Sequence, residues 1–131
     1  MDTGILLFAH GARDPHWAQP FEAVAARLRT LAPGAVVELA FLEFMAPTLE
    51  EAGSRLVTAG CTQVSVVPLF LGAGGHVRKD LPALLQSLAG RHPAVRWNLQ
   101  PAVGETDEVV QAMAASALRL SLPQAHENMP R

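Results

Sequence analysis

The sequence predicts an α/β protein, a three-layer α/β/α sandwich in which helices cover both faces of a four-stranded parallel sheet, (βα)4. Two observations carry this. Short apolar runs alternate with segments whose apolar residues recur at helical spacing, the pattern of repeated strand–helix units. The first run, Ile5 to Ala9, is also continuously apolar rather than alternating, as a strand buried on both faces requires. Right-handed crossovers then make the strands parallel.

The elements follow in order. Ile5-Leu6-Leu7-Phe8-Ala9, bounded by Gly4 and His10-Gly11, is the first strand. Phe21, Val24, Ala25, Leu28 and Leu31 share one helical face, with Glu22, Arg27 and Arg29 opposite, and Pro33-Gly34 closes that helix. Val36, Val37, Leu39, Phe41 and Leu42 make the second strand. Pro47-Thr48-Leu49-Glu50-Glu51 opens the second helix, with the proline expected in its first turn, and Gly60 ends it. Val64-Ser65-Val66-Val67 is the third strand and runs into Pro68-Leu69-Phe70-Leu71. The glycine-rich stretch Gly72-Ala73-Gly74-Gly75 follows, then a helix carrying Leu81, Leu84, Leu85 and Leu88. Val95-Arg96-Trp97-Asn98-Leu99 is a more polar fourth strand and belongs near an edge. Residues 105–120 form a last helix. One domain is expected over 1–120, with a frayed tail over 121–131, where two prolines and no periodicity occur.

Composition narrows the function classes. Half of the 131 residues are hydrophobic, enough for one real core. The net charge of −2, with charges spread along the chain, argues against nucleic acid as a partner. Cys61 is the single cysteine, so an intrachain disulfide is excluded, and its apolar surroundings make it a core thiol. No apolar stretch approaches the roughly 20 residues that span a bilayer, and the N-terminus lacks a signal pattern. A cytoplasmic protein without membrane contact is the expectation.

In open α/β sheets ligands bind outside the carboxyl ends of the strands, and the unusual residues collect there. His10-Gly11-Ala12-Arg13-Asp14-Pro15 follows strand one, Glu43 follows strand two, and Gly72 to Asp80, with His76 and Arg78, follows strand three. Two imidazoles and a carboxylate are thus brought to one edge. Each also has a plainer role: His10 as a turn residue, His76 as an early helix residue, Glu43 as a carboxylate paired with Arg13 or Arg78. His16 is at most a secondary contact; His92 and His126 fall in a loop and the tail, and Trp17 and Trp97 suit packing. The glycine stretch is no Walker loop, and a dinucleotide fingerprint starting at Gly72 would need glycine where Val77 stands. Ala9-His10-Gly11 lacks the arginine of a histidine-phosphatase motif.

Taken together, Leu7-Phe8-Ala9-His10-Gly11-Ala12-Arg13-Asp14-Pro15, Phe41-Leu42-Glu43 with Pro47-Thr48-Leu49, and the run from Pro68 through Gly74-Gly75-His76-Val77-Arg78-Lys79-Asp80 to Pro82 resemble the short sirohydrochlorin chelatases, of the class II tetrapyrrole chelatases. The resemblance covers roughly residues 4 to 120, its third segment being the most specific; the family's common form has Ser where this chain has Ala12. It implies a chelatase-like, flavodoxin-like fold and insertion of Co²⁺, Fe²⁺ or Ni²⁺ into sirohydrochlorin. By that resemblance His10 and His76 handle the metal, Glu43 supports them, and short members form symmetric homodimers. The metal is then a substrate, and no permanently bound cofactor is expected.

Residue chemistry agrees with that expectation. Neutral imidazoles suit these transition ions, whereas an all-carboxylate site would favour Mg²⁺ or Ca²⁺. Arg13 and Arg78 suit a carboxylate-fringed substrate, and Gly74 and Gly75 offer backbone N–H groups at a helix start. Two other classes stay open from sequence: a carrier of metal or tetrapyrrole that does not turn over, and a flavodoxin-like binding module.

Overall fold

The structure, a computed structural model, describes residues 2–72 and 74–123; the side chains of residues 75–78 lie outside that description. Four strands, β1 (Thr3–Ala9), β2 (Val36–Phe41), β3 (Gln63–Pro68) and β4 (Arg96–Leu99), alternate with helices α1 (Gln19–Leu31), α2 (Leu49–Thr58), α3 (Gly75–Arg91) and α4 (Asp107–Ser121). The sheet is parallel throughout, in the order β2-β1-β3-β4. β4 lies at an edge, as its polarity predicts, and β2 forms the other edge.

Alternation along β1 explains its unbroken apolar run. Leu6 and Phe8 enter the larger core, with Leu49, Ala52 and Leu56 of α2 and Leu81, Leu85 and Leu88 of α3. Leu7 points the other way, to Ala25 of α1 and Val37. Successive side chains serve opposite faces, so a strand covered on both needs every residue apolar.

Helix starts follow local chemistry. Thr48 caps α2 in a reciprocal box: its hydroxyl accepts the Glu51 N–H at 3.1 Å, and Glu51 Oε1 accepts the Thr48 N–H at 2.8 Å. Pro47 therefore stands just outside α2 rather than in its first turn, a correction to the sequence reading. A 3-10 turn (Pro15–Ala18), capped by Asp14, precedes α1. Cys61 is buried beside Leu56 and Val64, as expected.

Helices thus lie on both faces of the sheet, α2 and α3 on one and α1 on the other, while α4 packs least. None of its residues is buried, and Val110, Met113, Leu118 and Leu120 are all at least half exposed. On the α1 side of the sheet an apolar groove of about 430 Å³ stays open, lined among others by Ile5, Val24, Leu28, Leu31, Val67 and Leu69. α1 covers β1 and β2, and no second helix covers β3 on that face among the described residues. The expected tail falls outside the described residues, apart from Ser121 ending α4 and Leu122 and Pro123 after it.

Candidate functional site

Register brings three strand ends level. Ala9 of β1 pairs with Phe41 of β2, and Phe8 with Pro68 of β3. The segments after all three strands therefore leave from one edge, as the order of the motifs predicts. β1 and β3 are also the neighbours at which the chain changes direction across the sheet, where ligand crevices form in this architecture.

Backbone hydrogen bonds lock the first two segments together. The Leu42 N–H donates to the Ala9 carbonyl at 2.9 Å, and the Glu43 N–H donates to the His10 carbonyl at 3.1 Å. At the base of the second loop the Phe41 N–H donates to Pro47 at 2.9 Å. Gly11 makes the contact fit: its φ is +90°, and a Cβ there would run into the Glu43 carbonyl oxygen. His10 and Glu43, singled out separately in the sequence, are thus adjacent through their main chains, and both are exposed.

The third segment reaches His10 through Phe70. The Leu69 N–H continues the ladder to the Phe8 carbonyl at 2.8 Å. Phe70, 3% exposed, then stacks on the His10 ring, with centroids 4.3 Å apart and planes at 32°. A buried phenyl beneath the imidazole limits its rotation and leaves its outer side to solvent. The sequence reading placed Phe70 in the strand extension without giving it this role; only pairing of β1 with β3 reveals it.

The remaining candidates divide. α3, on which His76 and Arg78 lie, begins at Gly75 with Gly74 as its cap, so their backbone starts from the same edge; their side chains are outside the description. No ion pair joins Glu43 to Arg13 among the described residues. Arg13 lies instead over the Phe44 ring, 4.5 Å from its centroid. His16 is held in the 3-10 turn, its N–H bonded to Asp14 at 2.9 Å and its Nδ1 3.2 Å from the same oxygen. Trp17 stacks on Phe21 at 4.5 Å and Trp97 packs against the larger core, the packing roles expected of them. Among the described residues no group of three or more His, Cys, Asp or Glu side chains converges as a closed metal site. At the described edge His10 and Glu43 are joined through their main chains, and both side chains are exposed.

Comparison with known proteins points the same way. The model of the CbiX family matches residues 4–120. A sirohydrochlorin ferrochelatase of Bacillus subtilis is 33% identical over 113 residues, 86% of this chain and 43% of that protein. A sirohydrochlorin cobaltochelatase of Saccharolobus solfataricus is 42% identical over 82 residues, 63% of this chain and 62% of that protein. The chain thus covers less than two thirds of the length of these curated relatives. Among solved structures, a cobalamin biosynthesis CbiX protein of Marinobacter aquaeolei superposes with a TM-score of 0.80 at 32% identity, covering 90% of this chain and 96% of that one. SirB of Bacillus subtilis, solved with Fe³⁺, gives 0.81 at 31% identity, over 94% of this chain and 49% of that one.

Proposed function

The chain belongs to the CbiX family, and from that premise we propose that it is a chelatase inserting Co²⁺, Fe²⁺ or Ni²⁺ into sirohydrochlorin, in sirohaem- or cobalamin-type tetrapyrrole synthesis. The observation that carries the proposal is the edge where His10, bonded through its carbonyl to Glu43 and stacked on Phe70, faces solvent beside the start of the His76 helix. Relatives named as a sirohydrochlorin ferrochelatase and a sirohydrochlorin cobaltochelatase support it for iron and cobalt.

Insertion needs an ion that is held and then released, and it frees two pyrrole N–H protons. His10 and His76 present neutral imidazole nitrogens to the ion and leave its other positions to water and then to pyrrole nitrogens. Glu43 receives a proton from the macrocycle. Arg13 and Arg78, with the N–H groups of Gly74 and Gly75 at the start of α3, bind its carboxylates.

Anaerobic turnover with sirohydrochlorin and each metal, against a protein-free control, tests the reading. Many equivalents of product per chain support a chelatase. Stoichiometric product means a carrier, and no product with no metal binding means a flavodoxin-like module. His10→Ala and His76→Ala should each abolish most turnover with the fold retained. Glu43→Gln should cost roughly 10²–10⁴-fold if it moves a proton.

A symmetric homodimer is part of the same proposal. An amphipathic helix of 15 residues with nothing buried, and an open apolar groove beside α1, support it. α4 is about 22 Å long and α1 about 20 Å at 1.5 Å per residue, so α4 from a second copy matches α1 in length and lays its exposed Val110, Met113 and Leu120 stripe in the groove. Light scattering at micromolar concentration should give twice the chain mass, and Met113→Glu should shift it to monomer. A wild-type chain that is monomeric throughout refutes this part alone. The reading also places the protein in the cytoplasm, where a lone buried thiol stays reduced; no helix among the described residues is long and apolar enough to cross a membrane.

A further inference from the structure

Phe44 sits where folding alone would not put it. Its φ is +68°, in the left-handed region that large side chains avoid, and its ring is 56% exposed. Glycine would relax the backbone, and a polar side chain would suit the exposure, so stability selects against phenylalanine here on two independent grounds. The loop is nevertheless held firmly. Its base is closed by the Phe41–Pro47 hydrogen bond, and its first residues are bonded to Ala9 and His10. The loop is thereby held against the His10 segment, and Phe44 follows Glu43 at its exposed turn. The Arg13 guanidinium rests over the Phe44 ring, 4.5 Å from the centroid. A strained, exposed aromatic on a firmly held loop, with a cation on its face, is a pattern for binding a ligand.

The chemistry of the pair specifies the ligand. A phenyl ring offers apolar stacking surface to a flat conjugated system. A guanidinium stacked on that ring keeps its N–H donors at its edge, free for a carboxylate. A single molecule satisfying both must be a broad π-system fringed with acids. We propose that Phe44 and Arg13 form a platform for one carboxylate-bearing ring of the tetrapyrrole, with Phe44 as a specificity residue that grips the macrocycle and takes no part in holding the metal. This rests on the chelatase reading and adds to it a contact that discriminates conjugated macrocycles from other polyacids.

The test uses the full chain and metal-free sirohydrochlorin, with binding followed by the change in macrocycle absorbance. Phe44→Gly removes the ring and relieves the backbone, so it should raise Tm while weakening tetrapyrrole binding by about tenfold, the scale of one lost aromatic stack. Phe44→Leu should weaken binding similarly, and Phe44→Trp should retain it. Binding of Co²⁺ alone should be unchanged in all three, and in turnover KM for the tetrapyrrole should rise while KM for the metal stays constant. Phe44→Gly binding the macrocycle as tightly as wild type overturns the platform, as does equal loss of Tm, tetrapyrrole and Co²⁺ binding, which marks a packing residue. If wild type binds and turns over sirohydrochlorin while the Phe44 variants match it, only the platform falls. If wild type binds no tetrapyrrole, the chelatase reading falls with it.

Discussion

Gly11→Ala is the substitution that tests the architecture of the site most directly. At φ +90° an L-residue meets the steric penalty of the left-handed region, about 1–2 kcal/mol. The new methyl would also occupy the position of the Glu43 carbonyl oxygen, so the two loops must separate. Separation removes the Glu43–His10 backbone hydrogen bond, worth about 1 kcal/mol. The total, about 2–3 kcal/mol, lowers Tm by roughly 8–12 °C for a chain of this size. Turnover should fall more than stability suggests, because a shift of about 1 Å between His10 and Glu43 is enough to cost up to about 10²-fold. Calorimetry and a chelatase assay below the variant's Tm read the two effects separately. Gly34→Ala is the control: no heavy atom lies within 4 Å of a Cβ there, and neither Tm nor activity should move. A Gly11→Ala protein with wild-type Tm and wild-type turnover would refute the locked-loop account.

Three further outcomes follow from buried and capping groups. Thr48→Ala removes the hydroxyl that caps α2 and should cost about 1 kcal/mol at neutral pH. The Glu51 carboxyl is held below its ordinary value, first by the Thr48 backbone N–H, then by the Thr48 hydroxyl, with Arg55 adding to it. A lowered folded pKa stabilises above the unfolded value and is lost as pH falls through the folded one, so the Tm gap between wild type and Glu51→Ala should narrow below about pH 4.5; a gap that widens in acid contradicts the cap. Burial pushes the Cys61 thiol up, so iodoacetamide at pH 8 should label native protein far more slowly than denatured protein, and equal rates would mean the thiol is accessible.

Much of this was legible in the chain because the governing rules are local. An unbroken apolar run such as 5–9 can be satisfied only between two layers, and β1 lies between them. The strand-end rule brought His10 and Glu43 to one edge with no knowledge of their contact. Pro47 stands two positions before the first helical residue rather than in the first turn, because the Thr48–Glu51 capping box sets the helix start. The Phe70–His10 stack and the strain at Phe44 were not legible, since each depends on which strands pair and how two loops are joined. α4 was recognised as a helix, but an apolar stripe does not say whose surface it covers.

That last ambiguity connects the uncovered face to the reactive edge. The chain leaves β4, passes Ala102 in the larger core, and turns at Val103–Glu105 before α4 begins. In that turn the Gly104 N–H donates to the Phe70 carbonyl at 2.9 Å, and Gly104 packs so closely on the Leu71 backbone that a Cβ would overlap it. Val103, one residue earlier, lines the open groove. The residue whose ring supports His10 is thus the one whose carbonyl anchors the segment leading into α4. In the proposed dimer a partner's α4 in the groove would rest on Val103, one residue from the Gly104 N–H that the Phe70 carbonyl accepts, while the β1–β3 ladder holds Phe70 from the other side. Met113→Glu in α4 would then lower turnover along with dimer content, and a monomeric variant with wild-type turnover would separate the groove from the His10 edge.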